Sequence, residues 1–224
     1  MKITTKHRFL KNCAALLCLV ILFGIQVHGS QGQTQTPELP KEPFARGLAL
    51  MKLFRLEEAS RSFTEVLTGN PGHLMGLYNR GKVLIGLKKV NEAAVDFEKI
   101  VQLYPKSPLG YIGRAEILIQ QKNYVEAMRK LEDALKLNPS EPDALYNRGV
   151  VYGYQKKDRE ALSDFSQCLK IKPDHSYAHY QSGLLYYKLK RMDLTVVHFN
   201  KFLELAPAAP EAPQVRNLLQ FIRR

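Results

Sequence analysis

The residues whose spacing could do chemistry are few. His175 and His179 lie four apart, a spacing that presents two imidazoles on one helix face and so offers half of a metal site. A bound metal needs three or four ligands, and no HExxH pattern forms around the pair. One buried and one surface histidine, with no metal and no cofactor, is the expectation. Cys168 sits among apolar neighbours, where a thiol packs rather than reacts. No P-loop, dinucleotide fingerprint or nucleophile elbow occurs, so no catalytic residue is assigned and no enzymatic activity is expected. Charge offers more. Arg46, Arg80, Arg114 and Arg148 recur at one interval, and Asp96 and Asp164 recur in step with two of them. Arg–Asp pairing across two helices is expected, against the alternative of a ligand-facing arginine ladder. A second series is basic: Lys88 and Lys89, Lys122, Lys156 and Lys157, then Lys188, Lys190 and Arg191.

The elements that must carry these residues begin after an unusual N-terminus. Lys2, Lys6, Arg8 and Lys11 precede an apolar run from Cys13 to Ile25, followed by small and polar residues. That order is the layout of a secretory signal peptide, and a run of about 13 residues is short of the roughly 17–25 that span a bilayer. Residues 1–29 are expected to be a cleaved leader or a short N-terminal anchor. The rest of the chain would then be exported, periplasmic or secreted. Its loss removes four of the 33 Lys+Arg and no acidic residue, taking the net charge from +12 to +8. It also leaves Cys168 as the one cysteine, so no internal disulfide is available. Residues 30–39 are polar and Pro-containing and are expected to form a flexible lead-in.

From residue 40 onward a period of 34 dominates. Pro71, Pro105, Pro139, Pro173 and Pro207 keep that interval, as do Gly47, Gly81, Ala115, Gly149 and Gly183. Ala59, Ala93, Ala127, Ala161 and Thr195 form a third column, and Phe63, Phe97, Leu131, Phe165 and Phe199 a fourth. A small residue in one helix, alanine and an aromatic in the next, and a terminal proline resemble the tetratricopeptide repeat. The resemblance implies an all-α fold: a right-handed α-solenoid of about five helix pairs, over 40–73, 74–107, 108–141, 142–175 and 176–209. Val215, Leu218, Leu219 and Ile222 follow at helical spacing, so residues 210–224 are expected to form a capping helix.

In this family the first helix of each pair lines a concave groove. Carried over unit by unit, the resemblance implies groove positions at Tyr78, Asn79 and Lys82, at Glu116, and at Tyr146, Asn147 and Tyr154. The last unit adds Tyr177, Tyr180, Gln181 and Tyr187. Tyrosine gives large contact area at small entropic cost, which favours a protein or peptide ligand; packing between helices is the competing role. The family's carboxylate-clamp pattern is absent apart from Asn147. The implied function is an exported adaptor or scaffold that holds a partner in its groove. The alternative uses Lys88, Lys89, Lys156, Lys157, Lys190 and Arg191 as a basic rim for an anionic envelope polymer or membrane surface. Nucleic acid is not an expected partner of an exported chain.

Overall fold

The computed structural model describes residues 38–222. The expected leader, 1–29, and all but the last two residues of the lead-in, 30–39, lie outside the described residues. Among the described residues there are eleven α-helices and no strand. The first pair is α1 (Pro43–Lys52) and α2 (Leu56–Gly69), and the second is α3 (Leu74–Gly86) and α4 (Val90–Leu103). Next come α5 (Leu109–Gln120) with α6 (Tyr124–Leu137), then α7 (Pro142–Tyr154) with α8 (Asp158–Ile171). The fifth pair is α9 (Ser176–Lys188) and α10 (Met192–Leu205), and α11 (Ala212–Ile222) closes the array. Each helix packs on its partner, each second helix on the next first helix, and α3, α5 and α7 touch in succession.

Helix starts have local causes. Pro43 opens α1. There its missing N–H is no loss, and Glu42 caps the helix by accepting from the Phe44 and Ala45 amides. His73 and His175 cap α3 and α9 with Nδ1, accepting from Gly76 at 2.9 Å and Ala178 at 3.1 Å. Each first helix ends in a Schellman turn. The Lys88 amide reaches the Ile85 carbonyl and the Lys89 amide the Leu84 carbonyl, and the same bonds recur in the other four pairs. The left-handed residue of that turn is Phe54, Lys88, Lys122, Lys156 or Lys190, with φ between 55 and 61°. Such a conformation costs an L-residue about 1–2 kcal/mol and is normally left to glycine.

Pairing within units rests on a size match. A Cβ built on Gly47, Gly81, Gly149 or Gly183 would stand 2.5–2.7 Å from the ring of Phe63, Phe97, Phe165 or Phe199. The third unit has Ala115 where the others have glycine, and there the aromatic shrinks to Leu131; both are fully buried. The Phe97 ring also lies against α5, where a Cβ on Gly113 would fall 2.2 Å from it. These rings, with Ile100, Ile112 and Leu145, form the layers between helices. At the C-terminal end Phe199 and Phe202 join Ala212, Val215 and Leu219 of α11, so that α11 covers the face the fifth pair would otherwise expose.

Candidate functional site

A solenoid of helix pairs brings units two apart together only on its inner face, because on the outer face they diverge. Tyr78 and Lys82 of α3 meet Asp143 of α7 across the intervening unit, with Tyr78 Oη donating to Oδ2 at 2.7 Å and Lys82 Nζ to the same oxygen at 2.9 Å. That contact identifies the inner face and names its centre. Asp143 is buried, and His175 Nε2 stands 3.6 Å from its other oxygen, with Lys172 Nζ at 4.0 Å. Burial alone would raise the Asp143 carboxyl; Lys82 beside it and the His175 and Lys82 donors hold it well below the ordinary range. Burial likewise works against the Lys82 ammonium, but Asp143 and Glu116 keep it charged and above its usual value.

Glu116 of α5 continues the cluster, accepting from Asn147 Nδ2 at 3.0 Å. Its carboxyl is raised, by burial first and by Asp143, while Lys82 and the Asn147 donor work against that shift. The Tyr146 ring lies 4.7 Å from the His175 ring, and burial raises its hydroxyl. Tyr177 Oη donates to Glu211 at 3.0 Å, at the start of the cap, and Tyr180 stacks obliquely on Phe199 and Phe202. Five of the groove positions read from the sequence, Tyr78, Lys82, Glu116, Asn147 and Tyr177, are thus hydrogen-bonded to side chains of other units or of the cap, while Tyr146 packs on His175 and Gln181 is half-buried. Asn79 is buried and turns back to the Met75 carbonyl of its own helix. Tyr154 is exposed and stacks on Tyr124 of α6 at 4.6 Å, and Tyr187 is half-buried. Lys82, at 31 % side-chain exposure, and Glu116 still present polar atoms to solvent.

Sequence reasoning passed over Asp143, Glu211 and Tyr124. A signal existed for the first: Asp143 is the one carboxylate in a column with Lys41, Met75, Leu109 and Tyr177, and a carboxylate set among three largely apolar equivalents requires a partner.

The remaining expectations resolve by geometry. Arg80 and Arg148 form bidentate pairs with Asp96 and Asp164, at 2.6–2.8 Å, each carboxylate almost fully buried. Arg46 pairs instead with Glu65, and Arg114 with Glu98 at 3.4 Å. His175 and His179 do not converge: the first faces Asp143, while His179 pairs with His198 across 3.1 Å. Both are half-buried, and among the described residues no group of three or more His, Cys, Asp or Glu side chains could hold a metal. Cys168 is free and buried, and burial pushes its thiol up to about 12. The rim is partly neutralised. Lys88, Lys156 and Lys190 are exposed, but Lys89 pairs with Glu92 and Arg191 with Asp193, while Lys157 lies over the Tyr152 ring. No described helix is long and apolar enough to cross a membrane.

Comparison with known proteins agrees with this architecture. No curated protein matches the chain by sequence. Among solved structures, the thermophilic TPR protein TTC0263 of Thermus thermophilus is 23 % identical, with a TM-score of 0.66 over 81 % of this chain and 97 % of that one. A tetratricopeptide repeat protein of Parabacteroides merdae is 21 % identical, with a TM-score of 0.65 over 81 % of this chain and 70 % of its own. At such identity the likeness is one of fold. Family models described as tetratricopeptide repeat match residues 44–108, 142–175 and 176–208, and a TPR repeat model matches 115–156. The chain belongs to the tetratricopeptide repeat family.

Proposed function

We propose that this protein is an exported adaptor whose inner face, around Lys82, Glu116 and Gln181, holds a segment of a protein partner. The observation that supports the reading is the Glu116–Lys82–Asp143 cluster. Three successive first helices place opposite charges on one surface, already fixed by internal bonds, with hydrogen-bonding capacity left over. A carboxylate and an ammonium side by side can accept from and donate to a peptide amide, and their fixed positions lower the entropic cost of ordering them on binding. Scaffolding by protein–protein contact is the use that the family's fold suggests. Export rests on the basic start and apolar run of residues 2–25.

One experiment addresses both parts. Cells producing a tagged chain are fractionated, and partners are captured from the envelope fraction with the parent protein and with a Glu116→Gln, Gln181→Ala variant. These substitutions leave the packed tyrosines Tyr146 and Tyr180 in place, so lost capture cannot be blamed on a collapsed core. The tagged chain should appear in the envelope fraction, and the variant should lose partners the parent retains. A cytoplasmic chain removes export from the proposal, and identical capture removes the groove.

A further inference from the structure

The five turns within pairs share one backbone, and one of them carries a residue of a different kind. Lys88, Lys122, Lys156 and Lys190 occupy the left-handed position and are exposed, whereas its first occupant is Phe54, half-buried. A bulky aromatic side chain is a poor choice for that conformation, so its placement asks for a compensating contact. Phe54 has one. It packs against the C-terminal cluster built from Phe199, Phe202, Val215 and Leu219, although it belongs to the first pair and the cluster to the fifth and the cap. The turn itself is fixed by Phe54 and Arg55 amides bonded to Met51 and Leu50 carbonyls, both at 3.0 Å. Tyr180, one of the groove tyrosines, packs on the same cluster, its ring centre 5.0 Å from that of Phe202. Phe54 and Tyr180 thus pack against one apolar cluster at the C-terminal end of the array.

We propose that this surface is an acceptor for an aromatic anchor, occupied in the free chain by its own Phe54, and that the partner is a peptide whose aromatic side chain takes its place. The first turn is then a latch across the groove. The proposal rests on the reading of the inner face as the binding surface, and it adds the chemistry of the partner. A single half-buried ring holds a turn weakly enough for a longer peptide, with more apolar area and amide contacts to offer, to displace it.

The chain contains no tryptophan, so Phe54→Trp in the full chain places a single reporter in the latch. The probe is a synthetic peptide of residues 50–57, LMKLFRLE, with a control in which its phenylalanine is replaced by lysine. The indole should emit as a shielded group, resist acrylamide quenching, and shift to the red when the aromatic peptide, but not the control, is added. Emission already typical of water overturns the latch. A shielded indole indifferent to the peptide at saturating concentration overturns the acceptor. Should Phe54→Trp fail to fold, Phe54→Lys restores the residue found in the other turns. It should bind anilinonaphthalene sulfonate several-fold more strongly than the parent, and equal binding overturns the latch. None of these readouts needs the cellular partner, so their failure is distinct from failure of the capture experiment.

Discussion

His179 and His198 hold one proton between their Nδ1 atoms, and the direction of that bond follows from a third group. His179 Nε2 lies 3.0 Å from the Pro173 carbonyl and must donate to it, so its Nδ1 is left as an acceptor for the His198 Nδ1–H. The pair is neutral in this arrangement. Burial lowers His198 to about 4, with His179 adding to the effect. Burial also lowers His179, against the Pro173 acceptor and Glu204, with Lys201 and His175 assisting the shift. The unfolded chain takes up a proton near the ordinary 6.5, while folded His198 refuses it until about 4. The stability this pair confers is complete above 6.5, declines as pH falls through that interval, and changes no further below it. Asp143 acts in a separate, lower window: its carboxyl is depressed, so its contribution is present above the ordinary 3.8 and lost below. Urea midpoints measured from pH 7 to 4.5 should therefore fall in the parent and fall less steeply in His198→Leu, which keeps the smaller contribution of the buried His179. An equal fall in both would assign the acid sensitivity elsewhere.

Within each helix pair, stability depends on a matched choice of two residues rather than on either one. Gly149→Ala adds helix propensity worth about 1 kcal/mol but drives a methyl to 2.6 Å from Phe165. Overpacking of this kind costs about 1–3 kcal/mol. Phe165→Leu alone leaves a cavity. Together they reproduce the Ala115–Leu131 pair of the third unit, and the double variant should be more stable than the sum of the single losses predicts, by 1 kcal/mol or more in denaturant unfolding. Additive losses would show that the size match is incidental. This match also explains how much of the fold the sequence exposes. Gly, Ala, Phe and Pro columns repeat because each meets a steric demand of one helix pair, and every pair makes that demand again. The inner face obeys no such rule. Lys82 and Asp143 come from the second and fourth units and recur in no other; Tyr78 and His175 do recur, as Tyr146 and Tyr180 and as His73, but only here do the four converge, so the cluster follows from the curvature of the stack. Only Asp143, the one carboxylate in its column, marked it. Phe54 carried the same kind of mark among lysines, but the surface it meets lies more than a hundred residues away.

At the scale of the whole array, an ordinary solenoid is held by nearest-neighbour contacts, and its units can open one after another. Here the Tyr78–Lys82–Asp143 contact ties the second unit to the fourth, and the Phe54 contact ties the first to the cap. Contacts that skip units penalise partial opening, because releasing one interior unit also breaks bonds that its neighbours rely on. Unfolding should consequently be closer to a single step than the repeat architecture implies. Asp143→Asn keeps an acceptor for Tyr78 but takes from the Lys82 ammonium its hydrogen-bonded counter-charge, leaving Glu116 as the nearby carboxylate, a loss of about 1–3 kcal/mol. Hydrogen exchange should then accelerate in α3 and α7 together, while α10, remote from the bridge, stays protected. Adding Lys82→Met to Asp143→Asn removes the under-compensated ammonium as well, and losing both partners of a buried ion pair costs less than losing one. The double variant should recover most of the lost stability yet keep the faster exchange in α3 and α7, because the tie between the units is still broken. Recovery of both would mean that Asp143 stabilises its own helix without coupling the two halves of the array.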